Sequence, residues 1–315
     1  MTEGSNSLTK LKLDCVYIAA CARDARLARI CVASVRYFYP DIPIRLLAAE
    51  PLQLGLAEEL HRYCGVELVD LPDGDYGWGF VQLEPLFGRA GERFLVLDVD
   101  TVLTGPVLDL WQNDSHFLVD NEKLPEVDSR RLYYNWDALA KIDPNVQSAK
   151  IAFNSGQWFG TAGLVSRQEF DTWLEWAMPR KLRYPQYFMG GEQGVMNCVV
   201  LKKEAFDGVR IERRTIMRWP GHSMEGLDAE SVAKRIAPPL VVHWAGLKKA
   251  RVSAMIGGDL LMFFENLYYE RMLAGKLRRI FAICRHFYIQ IRHYVWVRAI
   301  LTYRKWFGSL TSKKS

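Results

Sequence analysis

The sequence is short of several features that sort proteins early. It has no C-x-x-C pair; Cys15, Cys21, Cys31, Cys64, Cys198 and Cys284 are scattered along 315 residues. That scatter excludes a paired-cysteine motif and reads as reduced, packing thiols, which suits a reducing compartment. Met1 to Lys12 carries no apolar h-region, so no secretory signal is expected. Without one, the Asn113-Asp114-Ser115 sequon carries no weight. The Gly-rich stretch Gly74-Asp75-Tyr76-Gly77-Trp78-Gly79 lacks both the Walker lysine and G-x-G-x-x-G spacing, so it is not read as a phosphate cradle. There is no internal repeat and no low-complexity segment. Acidic residues are missing altogether from Arg271 onward.

That last absence hides behind a net charge of +5. Of the 41 Lys and Arg, 11 follow residue 270, leaving 30 against all 36 acidic residues in the rest of the chain. The body is mildly acidic and the tail strongly basic, which points to a partner for the tail and not to nucleic acid along the whole chain. Half the residues are hydrophobic and 10 are Trp, enough for a large α/β core.

The chain opens in a β-α-β-α-β order. Cys15 to Ala20 reads as a buried strand. Ala22 to Tyr39 has apolar residues at helical spacing and stops at Pro40. Ile44 to Ala48, Leu56 to Cys64 and Val66 to Val69 read as strand, helix and strand. This order predicts a parallel sheet with right-handed crossovers. After a helical turn at Gln82 to Phe87, the run Phe94-Leu95-Val96-Leu97 predicts a strand buried on both faces, ending in Asp98-Val99-Asp100. Later segments predict a strand at His116 to Val119, an irregular stretch over 121–150 and an apolar strand after Gly156. A helix is expected over Gln168 to Met178, another from Glu192, and a strand at Val241 to His243.

The tail from Gly275 to Phe307 is basic and apolar. On a helical wheel Arg278, Arg285, His286, Arg292 and His293 share one arc, while Ile280, Ile283, Phe287, Tyr288, Ile291, Tyr294 and Val295 face the other way. Its uncharged stretches fall short of the roughly 20 residues that span a bilayer. The expectation is a helix lying on an anionic membrane surface through residues 276–307.

Four polar clusters sit at the ends of apolar segments: Asp98 with Asp100, Asn154 with Ser155, Glu192 with Gln193, and His243 with Lys249. If the strands end on one edge, these groups converge. Two carboxylates and an imidazole suit Mn²⁺ or Mg²⁺ with positions open for a ligand. Such a metal would hold a diphosphate, Lys249 would add positive charge, and Glu192 and Gln193 would meet a neutral polar substrate. Together these features describe a sugar-nucleotide site.

In their order, these residues carry a resemblance. Leu97-Asp98-Val99-Asp100-Thr101 resembles the D-x-D strand of the glycogenin-like (family 8) retaining glycosyltransferases. Asn154-Ser155-Gly156 resembles their N-S-G element, and Glu192-Gln193-Gly194-Val195-Met196-Asn197 their D-Q-G-x-x-N helix start. His243-Trp244-Ala245-Gly246-Leu247-Lys248-Lys249 matches H-x-x-G-x-x-K in spacing. The resemblance implies a GT-A fold, a Rossmann-like mixed sheet flanked by helices. It implies an α/β transferase domain over 12–258, with 259–315 as a basic helical extension. Asp98, Asp100 and His243 would bind the metal. Ala19, Ala20, Gln82, Asp98, Val99, Asn154, Ser155, Gly246 and Lys249 would bind donor or substrate. Glu192 and Gln193 would be catalytic.

The partners implied are a nucleotide-sugar donor, UDP by default, and a glycan or lipid-linked acceptor at the cytoplasmic face of a membrane. The chain departs from the family pattern with Glu192 for the usual Asp, Gln82 for a lysine, and Ala20-Cys21 and Asp24 where nucleotide contacts stand. Two alternatives remain open at this point. One is a transferase-like scaffold that binds without turnover. The other is a haloacid-dehalogenase-like phosphatase using Asp98 and Asp100, which Asp98-Val99-Asp100-Thr101-Val102-Leu103 also resembles, with Gly257-Gly258-Asp259 as its acidic element.

Overall fold

A computed structural model describes residues 12–289, apart from 53, 54, 73, 78, 112, 113 and 247–250, together with 291, 292 and 295. Lys249 and the tail beyond 295 therefore lie outside the described residues. Strands β1 (Cys15–Ala20), β2 (Ile44–Ala48) and β3 (Val66–Leu68) alternate with helices α1 (Ala25–Phe38) and α2 (Leu56–Cys64). Then come β4 (Arg93–Asp98), β5 (Thr101–Leu103), β6 (Phe117–Asp120), α3 (Glu126–Leu132), α4 (Trp136–Leu139) and β7 (Gln157–Thr161). A small hairpin, β8 (Leu174–Glu175) and β9 (Lys181–Leu182), precedes α5 (Gln193–Phe206), β10 (Ile211–Arg214) and β11 (Met217–Arg218). The order closes with α6 (Ala229–Ala233), β12 (Val241–His243) and α7 (Gly258–Glu270), and residues 275–289 are again helical.

The main sheet has the order β10-β6-β7-β4-β1-β2-β3. Its strands run parallel except β7, which is antiparallel to β4 and β6. The central strand β1 is uncharged and buried along its length, and β4 is apolar and buried between its terminal Arg93 and Asp98, because both faces of the sheet are covered there. Along β4, Leu95 and Leu97 point into the core shared with α1 and α7, while Phe94 and Val96 point into the core shared with α5. The same alternation sends Val16 and Ile18 of β1 one way and Tyr17 and Ala19 the other. Helix α1 buries Leu27, Ile30, Cys31 and Val35 against the sheet, each apolar side chain worth about 1.5–3 kcal/mol relative to exposure.

A second sheet, β11-β12-β5, stands at the carboxyl end of β4. Here β12 runs antiparallel to β5 with His243 opposite Thr101. The chain continues into α7, which buries Leu260, Leu261, Phe264 and Tyr268 in the core it shares with α1. Its Glu265 is fully buried and held by Arg26 of α1 through bonds of 2.6 and 2.9 Å.

Two local expectations fail. Gln168 to Met178 is not a helix: a 3₁₀ turn at Arg167–Phe170 gives way to β8. Phe170, Trp173 and Leu174 have helical spacing, but they are buried by aromatic packing and not by a helix face. Phe170 meets Phe87 and Trp176, and Trp173 meets Phe188. The stretch 121–150 is also less irregular than expected, since it contains α3 and α4, the latter capped by the Asn135 side chain.

Candidate active site

The sheet register gathers the polar clusters. Strand β4 ends at Asp98, and β7 begins opposite it with Gln157 paired to Leu97. Asn154-Ser155-Gly156 therefore lies beside the carboxyl end of β4, and the Asp98 amide donates to the Gly156 carbonyl at 2.8 Å. Strand β12 delivers His243 to the same place, and the Trp244 amide donates to the Asp100 carbonyl at 2.9 Å. A cleft of about 880 Å³ opens there. Every described residue expected in the site lines it: Ala19, Ala20, Gln82, Asp98, Val99, Asp100, Asn154, Ser155, Glu192, Gln193, His243 and Gly246.

At the centre, His243 Nε2 lies 3.5 Å from Asp98 Oδ2 and 3.4 Å from Asp100 Oδ1. His243 is 2% exposed, and neither ring nitrogen has a hydrogen-bond partner. A buried imidazole without one is costly. A divalent cation would remove that cost: ligand atoms bound at about 2.1 Å lie roughly 3–3.5 Å apart, which the observed separations match. One ligand atom from each of the three side chains lies within 4.8 Å of the others. The residues present fit a metal.

The surroundings fix these side chains. Gln82 Nε2 donates to Asp98 Oδ1 at 2.7 Å, leaving Oδ2 toward His243. Gln82 lines the cleft where a donor contact is expected of it, and its amide also fixes the orientation of the Asp98 carboxylate, the kind of support that metal sites use. The Trp219 ring stacks on His243, centroids 5.0 Å apart and planes 22° from parallel. Gly156 also lies against the imidazole, with no room for a Cβ: one built there would stand 2.1 Å from His243 Cε1. The glycine of the N-S-G element is required by the imidazole.

The second half of the cleft belongs to the start of α5. Gln193 Oε1 accepts from the Ser155 amide at 3.1 Å, from Asn154 Nδ2 at 3.2 Å and from Ser155 Oγ at 3.3 Å. Gln193 Nε2 donates to the Leu132 carbonyl at 3.0 Å. One turn on, Asn197 brackets Phe153, accepting from its amide and donating to its carbonyl, both at 2.8 Å. Glu192 is 5% exposed. Burial pushes its carboxyl pKa upward, while Ser155 Oγ, donating at 2.6 Å, pulls the other way. Its extra methylene fits because Gly79 has no Cβ: one built there would lie 1.5 Å from Glu192 Oε2.

Sequence reasoning missed Arg23, Glu50, Asp75, Arg131 and Trp219, all on the cleft wall. Trp219 follows β11, whose pairing to β12 is what aims it, and no local pattern announces that. The glycine loop set aside as a phosphate cradle supplies Gly77 and Gly79 to the wall. Cys21 also lines the cleft; burial raises its thiol pKa to about 11, and the protonated sulfur donates to Asp24 at 3.1 Å. Asp259, the acidic element of the phosphatase alternative, accepts from the Ala229 amide at 2.9 Å and does not line the cleft.

No family model matches the chain, and no curated protein matches it. Solved structures do. The galactosyltransferase LgtC, in complex with donor and acceptor sugar analogues, superposes with a TM-score of 0.52 at 15% identity, over 81% of this chain and 95% of that one. WbbM, a bifunctional glycosyltransferase in its apo form, gives 0.51 at 13% identity over 82% of this chain. This chain spans half the length of WbbM, 50% of its residues. The glycosyltransferase GlyE of Streptococcus pneumoniae TIGR4 gives 0.50 at 13% identity, over 82% of this chain and 63% of that one. At such identities the likeness speaks for the fold, and the fold is GT-A.

Proposed function

We propose that this chain is a metal-dependent glycosyltransferase, moving a sugar from a nucleotide-sugar donor to a glycan or lipid-linked acceptor. The observation that carries the reading is the Asp98-Asp100-His243 group at the centre of the cleft, with both imidazole nitrogens buried and without hydrogen bonds. Asp98, Asp100 and His243 would hold Mn²⁺ or Mg²⁺, which when bound offsets charge building on a leaving diphosphate. Ala19 and Ala20 give a flat floor at the end of β1 for the nucleoside, UDP being the default. Gly246 adds a turn without a side chain, at φ +69°, where phosphates can approach the backbone. Lys249 is assigned to the same phosphates by its place in H-x-x-G-x-x-K.

The chain's own groups divide the remaining work. Gln193 has its amide oxygen engaged three times over, so it builds the Asn154-Ser155 turn and holds the sugar subsite in shape. Glu192 has only Oε1 engaged by Ser155. It is the group available to a sugar hydroxyl or the reacting centre, and burial raises its pKa above the usual carboxylate value. Retention of configuration follows from the family resemblance alone.

The membrane assignment belongs to the same proposal. No helix among the described residues is long and apolar enough to cross a membrane. Past residue 275, however, Leu277, Ile280, Phe281, Tyr288, Ile291 and Val295 are all exposed. They recur at three- and four-residue steps beside Arg278, Arg285 and Arg292, which supports peripheral binding to an anionic cytoplasmic leaflet through residues 276–307. Removing residues 276–315 should release the chain from anionic vesicles.

The deciding experiment measures UDP release from a panel of UDP-sugars, with and without Mn²⁺, on the intact chain and on Asp100→Ala. The expected result is metal-dependent turnover that Asp100→Ala abolishes while circular dichroism stays unchanged. Undiminished turnover in the variant would sink the metal assignment. No turnover with any donor base would leave the chain a binding scaffold.

A further inference from the structure

The order of the main sheet gives the cleft two ends. Strands β1 and β2 lie on one side of β4, and β7 and β6 lie on the other. Asp98 and Asp100 stand between them, at the tip of β4. In the transferase reading the nucleoside takes the β1 end and its diphosphate the centre, so the group that accepts the sugar enters from the β6 end. Glu122 is there, two residues past the end of β6. So is Trp219, one residue past β11; the pairing of Arg218 with Val242 brings it level with His243.

Both side chains are half-buried and line the cleft. Trp219 Nε1 donates to Glu122 Oε1 at 3.1 Å, and the indole stacks on His243. Held at two points, the ring presents a fixed apolar surface. Tyr133 stands beside the pair: burial first, and then the charge of Glu122, raise its phenol pKa, so it stays a hydroxyl. A carboxylate has about four acceptor positions, which leaves Glu122 able to take a further O–H from a ligand. Leu132 and Met189, each 46% exposed, extend the apolar wall.

The pairing of indole and carboxylate selects a chemistry. A pyranose ring has a face of C–H bonds and a girdle of hydroxyls. The indole covers the first and the carboxylate accepts from the second. A phosphate would meet Glu122 as a like charge, and an alkyl chain would cover the carboxylate without pairing it. We propose that Trp219 and Glu122 form the acceptor subsite, and that what they hold is a sugar ring with free hydroxyls. A glycan and a sugar-bearing lipid both satisfy this; a bare lipid phosphate does not. The proposal rests on the transferase reading for the direction of transfer, while sugar binding itself needs no turnover.

The experiment is saturation-transfer NMR on the full chain, with EDTA present so that no cation at Asp98, Asp100 and His243 takes part. The probes are the methyl α- and β-pyranosides of D-glucose, D-galactose and D-mannose. At least one is expected to bind, with transfer strongest to the ring protons of a single face. Glu122→Gln keeps an oxygen for the indole N–H; it should weaken binding about tenfold, as for loss of a charge-assisted contact, and keep the proton pattern. Trp219→Ala should weaken binding about tenfold and lose the single-face pattern, and Trp219→Phe should recover part of both. A thermal melt checks folding, and Glu122→Gln with the proton pattern of the parent decides the matter even if Trp219→Ala does not fold. No binding of any probe, transfer without a favoured face, or a Glu122→Gln protein that binds like the parent overturns the subsite.

A second readout keeps the two claims apart. Metal-dependent donor turnover by the parent, with no pyranoside added, tests the transferase reading alone. Turnover without pyranoside binding overturns the subsite and leaves that reading standing. Pyranoside binding with the stated dependence carries the subsite, and if turnover is absent it counts against the transferase reading only.

Discussion

Gly156→Ala is the smallest change that tests the metal centre. Gly156 is not in the left-handed backbone region, so alanine costs nothing there by conformation; the cost is steric. The new Cβ would meet His243 Cε1 at 2.1 Å, Nδ1 at 2.7 Å and Nε2 at 2.9 Å. Carbon atoms settle at about 3.5 Å or more, so the ring has to withdraw by more than about 1 Å. Its freedom to move is limited by Trp219, which stacks on the ring and is itself tied to Glu122 by a 3.1 Å hydrogen bond.

Metal–ligand distances tolerate shifts of only about 0.2 Å. The imidazole would therefore be lost as a ligand, leaving Asp98 and Asp100. The expected consequence is at least a 10–100-fold loss of Mn²⁺ affinity, about 1.4–2.7 kcal/mol. Free Mn²⁺ is counted by electron paramagnetic resonance during titration, with circular dichroism as the check on folding. His243→Ala should lose the same amount, and the double variant should lose nothing further, since both changes remove one contact. A Gly156→Ala protein that binds Mn²⁺ like the parent would refute the reasoning at its root: either His243 is not a ligand, or it does not sit against Gly156.

Three further outcomes follow from individual contacts. Gly79→Ala should cut donor turnover by about 100-fold, because its Cβ would fall 1.5 Å from Glu192 Oε2. Glu192→Asp in the same chain withdraws the carboxylate and should restore most of that loss, apart from roughly 1 kcal/mol of backbone strain at φ +79°; a double variant no better than the single one would mean that only the backbone matters. Glu265→Ala should destabilise the fold by about 3–5 kcal/mol in urea, because it strands the buried Arg26 guanidinium, and a loss under 1 kcal/mol would contradict that. Asp120 contributes a pH dependence of its own. Burial raises its carboxyl from 3.8 to about 6, against the pull of the Ile216 and Met217 amides that it accepts at 2.9 Å. Between the two values the folded state holds a proton that the unfolded state has released, so this group's contribution to stability is complete below about pH 4 and is lost, by up to roughly 3 kcal/mol, as pH rises through 4–6. Asp120→Asn should flatten that slope in denaturation at stepped pH, and an unchanged slope would assign it elsewhere.

The parts of the site that could be read in advance are those whose signal is local. An uncharged run that ends in Asp-x-Asp marks a covered strand with carboxylates at its tip, and β4 is that strand. Gly-Glu-Gln at the head of an apolar segment marks the start of α5. What could not be read depends on pairing between distant segments. The antiparallel contact of β12 with β5 brings His243 to Asp100, and the pairing of β11 with β12 brings Trp219 onto His243; neither register is written in its own strand. Gln82 shows the same limit from the other side. Its position near the site was legible, but its work, holding Asp98 Oδ1, needed the contact itself. The mistaken helix at 168–178 arose because spacing alone cannot tell a helix face from aromatic rings buried along a turn.

The last helix shows why periodicity fixes arcs but not their orientation. The wheel put Arg278, Arg285 and His286 on one arc and Ile280, Phe287, Tyr288 and Ile291 on the other, and an apolar arc would ordinarily pack inward. In the structure His286 is 7% exposed, while Ile280 and Ile291 are 57% and 58% exposed. Two things set this rotation. Gly275 must pass close to the end of α7, where a Cβ would stand 1.8 Å from the Tyr269 carbonyl oxygen. Arg279 must reach Glu265, a fully buried carboxylate that Arg26 alone meets from the other side. Matching that carboxylate from a second side offsets part of the cost of exposing aliphatic side chains, each worth about 1.5–3 kcal/mol when buried and partly recoverable at a surface that accepts them. A buried charge on α7 thus turns the apolar side of the next helix outward, toward whatever surface the helix meets.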